Sequence, residues 1–180
     1  MIREEIVYFE EPGPHTEEVF ACVDRALAQE GIQKIVLAST RGDTARYALA
    51  HYRGQPVRLV IIPHQYGFGP GQRFPQDLVA EAQAAGHAVH FGTMLFHTGA
   101  LYGVETPRVV ADFLRCFGQG FKVAIEILLM AGDAGLVAPG EKVIAVAGTG
   151  RGADTALVAL GATSQNLKAL HITRIVCKPL

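Results

Sequence analysis

The stretch that most limits how this chain can fold is Val143-Ile-Ala-Val-Ala-Gly-Thr-Gly-Arg-Gly-Ala-Asp-Thr-Ala156. A short apolar run enters a loop carrying Gly148, Gly150 and Gly152, and Asp154-Thr155 then opens what reads as a short alanine-rich helix over 153–160. A briefer version precedes it, Ile35-Val-Leu-Ala-Ser-Thr-Arg-Gly-Asp-Thr-Ala45. Both read as a buried strand, a polar turn with an Arg-Gly step, and Asp-Thr-Ala at a helix start. Such a turn aims backbone N–H groups and the positive end of a helix dipole beyond the strand, which suits a phosphate. The expectation is that the two loops lie side by side and hold one phosphorylated small molecule.

Around these stretches, apolar runs alternate with helical periodicity. Residues 7–9 form a short extended segment. The helix capped by Thr16 has Glu17 and Glu18 in its first turn, buries Val19, Phe20, Val23, Ala26 and Leu27, and stops at Gly31. Residues 34–38 and 57–63 are apolar without alternation, as in strands covered on both faces. A helix to about residue 53 follows the first of these, and a glycine-rich loop, 64–71, follows the second. Pro75 begins a helix that ends at Gly86, and 88–91 is a weak third strand. Residues 92–103 have no clear period and read as a cover. Thr106-Pro107 starts a helix that turns Val109, Val110, Phe113 and Leu114 inward. After Gly118-Gln-Gly120, residues 121–131 form a helix apolar nearly all round, hence buried. Residues 143–147 and 172–177 are the fourth and terminal strands. This alternation gives one α/β domain over 1–180, a three-layer α/β/α arrangement around a mainly parallel sheet. In such sheets ligands sit outside the carboxyl ends of the strands, where the strand order reverses. That the first and fourth strands are neighbours does not follow from the pattern alone.

Composition narrows the function. Of 180 residues, 49% are apolar and 18% charged, and the net charge is −1 with no basic cluster. A charged fraction below the roughly 25% of ordinary domains implies extensive burial, in layers or in a homo-oligomer. The net charge of −1 without a basic cluster argues against nucleic acid or an anionic membrane as the main partner. Three scattered cysteines, Cys22, Cys116 and Cys177, fit a reducing cytoplasm. The start Met1-Ile-Arg-Glu-Glu-Ile is unlike a secretory leader. The histidines lack metal-site spacing, so no metal is expected.

Individual residues carry competing readings. Ser39, Thr40, Arg41, Gly42, Asp43 and Thr44 either hold a phosphate or merely cap a helix; capping explains one of them but not the set. Gly148, Thr149, Gly150, Arg151, Gly152, Ala153 and Asp154 allow close backbone approach to a ligand, against a plain tight turn. The glycine spacing is neither the dinucleotide fingerprint nor a P-loop. Asp43 and Asp154 would bind ligand hydroxyls or cap. His64, just past a strand end, faces the crevice or solvent. Glu126 reads as an isolated charge in an apolar helix and needs a partner, either Arg41, Arg151 or the ligand. No residue is assigned a catalytic role.

The run from Ile35 to Tyr47 resembles the pyruvate kinase C-terminal domain, where a Ser/Thr-rich turn before a helix binds sugar phosphate. The chain more closely resembles a family of free-standing archaeal and bacterial proteins of that fold. The resemblance rests on Tyr8-Phe-Glu-Glu-Pro-Gly13, the first loop to Ala45, Glu126-Ile-Leu-Leu-Met-Ala-Gly-Asp-Ala-Gly135 and Arg151-Gly-Ala-Asp-Thr-Ala156. It implies a five-stranded mixed sheet of order 3-2-1-4-5 with the last strand antiparallel, making the first and fourth strands neighbours. It also implies flavin mononucleotide (FMN) as the ligand, with no reaction assigned. Pyruvate kinase activity is not expected, because the catalytic barrel is missing. Two function classes follow: a small flavoprotein of unknown reaction, or a non-catalytic sensor of a sugar phosphate or nucleotide.

Overall fold

The apolar runs become the strands of one sheet whose two faces are both covered. The computed structural model describes residues 5–180; the first four residues of the N-terminal segment discussed above lie outside them. The strands are β1 (Val7–Phe9), β2 (Lys34–Ala38), β3 (Arg58–Ile62), β4 (Ala88–Val89), β5 (Lys142–Ala147), β6 (Thr155–Leu160) and β7 (His171–Pro179). The helices are α1 (Thr16–Glu30), α2 (Asp43–His51), α3 (Gln76–Ala84), α4 (Gly99–Tyr102), α5 (Thr106–Arg115) and α6 (Gln119–Asp133). Strand order is β1-β7-β6-β5-β2-β3-β4. The pairs β2–β3, β2–β5, β3–β4 and β1–β7 are parallel, while β6 runs antiparallel to both its neighbours.

Alternate side chains divide the core. Ile35 and Leu37 of β2, Leu59 and Ile61 of β3, and Ile144 and Val146 of β5 pack with α1, α2 and α3. Val36, Val60, Val143 and Ala145 pack with α6 on the opposite face. Burial on both faces is why these strands show no alternation in sequence.

The sheet departs from the five-strand expectation in three ways. Residues 155–160 form strand β6, not a helix: Thr-Ala-Leu-Val-Ala-Leu pairs residue by residue with β5, from Ala147↔Thr155 to Lys142↔Leu160. The terminal strand β7, inserted next to β6, therefore runs parallel to β2 and β5, and β6 is the antiparallel member. Finally, β1 joins the edge through Val7↔Cys177. The order of the first four expected strands survives as β4-β3-β2-β5.

Two helices also differ from expectation. Thr16 is the first residue of α1 rather than its cap, and its Oγ1 accepts the Ala153 N–H at 3.1 Å. On α5 only Ala111 is buried, whereas Val109, Val110 and Phe113 face outward. Helix α6 is buried along its length as expected. No helix among the described residues is long and apolar enough to cross a membrane.

The seat of α6 depends on Gly132. A Cβ there would lie 2.0 Å from the Ala162 carbonyl oxygen, a backbone atom that cannot swing aside. Gly132→Ala gains roughly 1 kcal/mol of helix propensity, but overpacking costs about 1–3 kcal/mol and sometimes more. The expected net result is destabilisation, read as a lower midpoint in urea; a variant as stable as the wild type would show that α6 is not seated this closely.

Candidate functional site

Strands β2 and β5 are neighbours in register, with Ile35↔Ile144, Val36↔Ala145 and Leu37↔Val146. From β2 the chain proceeds outward to β3 and β4, then crosses back to β5 on the other side. The strand order reverses between β2 and β5, so the loops leaving their carboxyl ends open onto a crevice. The crevice is a cleft of about 360 Å³.

The loop after β2 forms its first wall. Ser39 Oγ accepts the Ala45 N–H at 3.2 Å, capping α2 from within the loop. Gly42 precedes α2 at φ 92°, and a Cβ there would lie 2.9 Å from Leu78, so glycine is needed to turn the chain at this point. The first two N–H groups of α2, those of Asp43 and Thr44, have no acceptor among the described residues. Ser39, Thr40, Arg41, Asp43 and Thr44 line the cleft. Arg41 is exposed and has no partner among the described residues.

The loop after β5 forms the facing wall, and it is a connection between antiparallel strands. No helix follows it, so it contributes no helix dipole; this corrects the sequence expectation. Asp154 is fully buried and holds the turn together: Oδ2 accepts the Thr149 N–H at 3.0 Å and Oδ1 accepts the Thr155 hydroxyl at 2.7 Å. Ala153 is also buried, bonded to Thr16. Gly148, Gly150, Arg151 and Gly152 line the cleft, whereas Gly42, Thr149, Ala153 and Asp154 do not. Arg151 Nε reaches Asp43 Oδ2 at 3.2 Å, so two turns 108 residues apart meet across the cleft mouth.

His64, from the loop after β3, donates from Nε2 to Thr40 Oγ1 at 3.2 Å, while Arg73 donates to its Nδ1 at 3.0 Å. A guanidinium cannot accept a hydrogen bond, so the proton is assigned to Nε2. Burial, then Arg73 and His97, holds the His64 pKa below its ordinary value. His87, bonded by the Leu59 N–H, is likewise held low by burial and Arg58. The unfolded chain therefore takes up these protons first as pH falls. Stability present above the unfolded value near 6.5 is lost as pH drops below it. The expected result is a Tm that declines from pH 7 to pH 5, less steeply in His64→Gln/His87→Gln; equal slopes would remove these imidazoles as the cause.

The floor belongs to α6. Glu126 pairs with neither Arg41 nor Arg151, correcting that expectation: Lys122, one turn earlier, donates to its Oε2 at 2.5 Å. Oε1 accepts the Phe96 N–H at 2.9 Å and lies 3.3 Å from His97 Nδ1. Gln65 similarly accepts the Met94 N–H at 2.6 Å. These two side chains fasten the segment expected to be a cover, which forms a 3-10 turn at Leu95–His97 followed by α4. Sequence reasoning missed Phe68, Arg73, His97, Gln119 and Lys122, all of which line the cleft. The spacing of Lys122 four residues before Glu126 was the one available signal.

No family model matches the chain. Among solved structures, it is similar to Cryptosporidium parvum pyruvate kinase in complex with ADP, at 15% identity and a TM-score of 0.39. The match covers 84% of this chain and 24% of that chain, so the chain spans about a quarter of that enzyme's length.

Proposed function

We propose that this protein binds a phosphate monoester in the cleft between the loops after β2 and β5, with FMN as the first candidate. The observation that carries the reading is the meeting of Arg41, Arg151 and the two free N–H groups of α2 at one mouth. The lining holds four cations, Arg41, Arg73, Lys122 and Arg151, against two carboxylates, Asp43 and Glu126. That surplus of two matches a phosphate monoester, which carries about −1.5 to −2 charges near pH 7. The volume falls at the small end of the roughly 300–1,000 Å³ of small-molecule sites. FMN is favoured over other monoesters by the sequence resemblance described above. Bound FMN would supply the redox chemistry, with the protein providing orientation and electrostatics.

The test is an absorption spectrum of purified protein together with thermal melts in FMN and in sugar phosphates. Yellow protein that releases flavin on denaturation, or a Tm raised by FMN, supports the reading. Stabilisation by sugar phosphates alone moves the assignment to a sensor of such compounds. A Tm indifferent to both removes the phosphate site.

A further inference from the structure

The phosphate reading accounts for the mouth of the cleft but leaves its inner end without a role. There one buried carboxylate, Glu126, holds an ammonium on one oxygen and an imidazole on the other. Lys122 is 1% exposed, carries three N–H donors, and has one hydrogen-bond acceptor, Glu126; its charge lies over the Phe96 ring, 5.3 Å from the centroid. A desolvated ammonium with donors to spare favours an arriving oxygen acceptor. In the neutral ring of His97, Glu126 fixes the proton on Nδ1, because a carboxylate only accepts. Nε2 is left as a bare acceptor with no partner among the described residues. Both residues line the cleft. Phe68, edge-on to His64 at 4.7 Å and to His97 at 5.0 Å, adds an apolar wall with Met94.

Glu126 thus fixes a donor, Lys122 Nζ, and orients the His97 ring so that its acceptor Nε2 points away from the carboxylate; both residues line the one cleft, where a ring bearing a carbonyl next to an N–H can engage the two. We infer that the inner end of the cleft reads an imide edge on the ring of a phosphorylated heterocycle, Lys122 donating to the carbonyl and His97 accepting the N–H. The inference rests on the phosphate reading above and narrows it. Adenine offers no carbonyl to the ammonium. Cytosine places a bare nitrogen beside its carbonyl, setting lone pair against lone pair at His97. Guanine carries the same carbonyl and N–H pair as a lactam and is an outcome of the test; simple sugar phosphates have no such edge.

The experiment is calorimetric titration of the intact protein with glycerol 3-phosphate, guanosine 5′-monophosphate, uridine 5′-monophosphate, FMN and the N3-methylated forms of the last two. The expected result is that at least one parent imide binds tenfold or more tightly than glycerol 3-phosphate, and that N3-methylation removes that gain. In His97→Phe the difference between parent and methylated compound should disappear, while a urea midpoint close to that of the wild type reports an intact fold. Methylated compounds binding as tightly as their parents, parents no tighter than glycerol 3-phosphate, or guanosine 5′-monophosphate binding as tightly as the parents, overturn the imide assignment. No binding by any of them overturns the phosphate reading beneath it.

Discussion

Lys122→Met is expected to destabilise the protein by roughly 3–5 kcal/mol, the cost of breaking a buried ion pair by removing one partner. The Lys122 and Glu126 side chains are 2% and 3% exposed, so neither charge can turn to water when its partner is lost. Glu126 would keep only the Phe96 N–H and the longer contact to His97. Replacing both charges, Lys122→Met with Glu126→Leu, should recover much of the loss, since apolar replacement of such a pair is often neutral or stabilising. It would also release the segment that Glu126 fastens, so amide exchange at Phe96 and His97 should quicken even where global stability returns. Urea denaturation of the three proteins measures the first effect and hydrogen exchange the second. A single variant within about 1 kcal/mol of wild type would be the size of an exposed pair and would place these groups in contact with water.

That pair also shows why the sequence revealed the cleft's mouth better than its floor. A strand followed by Ser39-Thr-Arg-Gly-Asp-Thr44 is a local signal, because turn, glycine and helix start are contiguous in the chain. The significance of Lys122 is not local. Its spacing to Glu126 is ordinary for a solvated helix face, and only the packing of α6 under the sheet and the Leu95–His97 turn makes the pair a buried one. His97 and Arg73 enter the cleft from segments whose path is set by tertiary contacts, so no periodicity pointed to them. Residues 155–160 failed for a different reason. Ala and Leu favour helices, Val and Thr favour strands, and a six-residue run containing all four is decided by its neighbours. Here β5 and β7 offer open hydrogen-bonding edges on both sides. For α5, the apolar stripe was legible, but the side it would face was not.

Replacing Arg41 and Arg151 together by Ala should lower affinity for a phosphate monoester a hundredfold or more while leaving stability almost unchanged. Each charge-assisted hydrogen bond to phosphate contributes roughly 1.5–3 kcal/mol, so two lost contacts reach that size without any change in the fold. Stability should hold because the Arg151 side chain is 77% exposed and its bond to Asp43 is an exposed pair, of a kind that contributes about 0–1 kcal/mol. The variant thus separates from Lys122→Met in the readout it moves: affinity at the mouth, folding at the floor. Salt supplies an independent check. Raising ionic strength screens exposed guanidinium groups, so binding to the wild type should weaken with salt more steeply than the residual binding of the variant. Titrations at two salt concentrations measure both quantities. Full affinity in the double variant would mean that the two turns meet across the cleft without gripping anything between them.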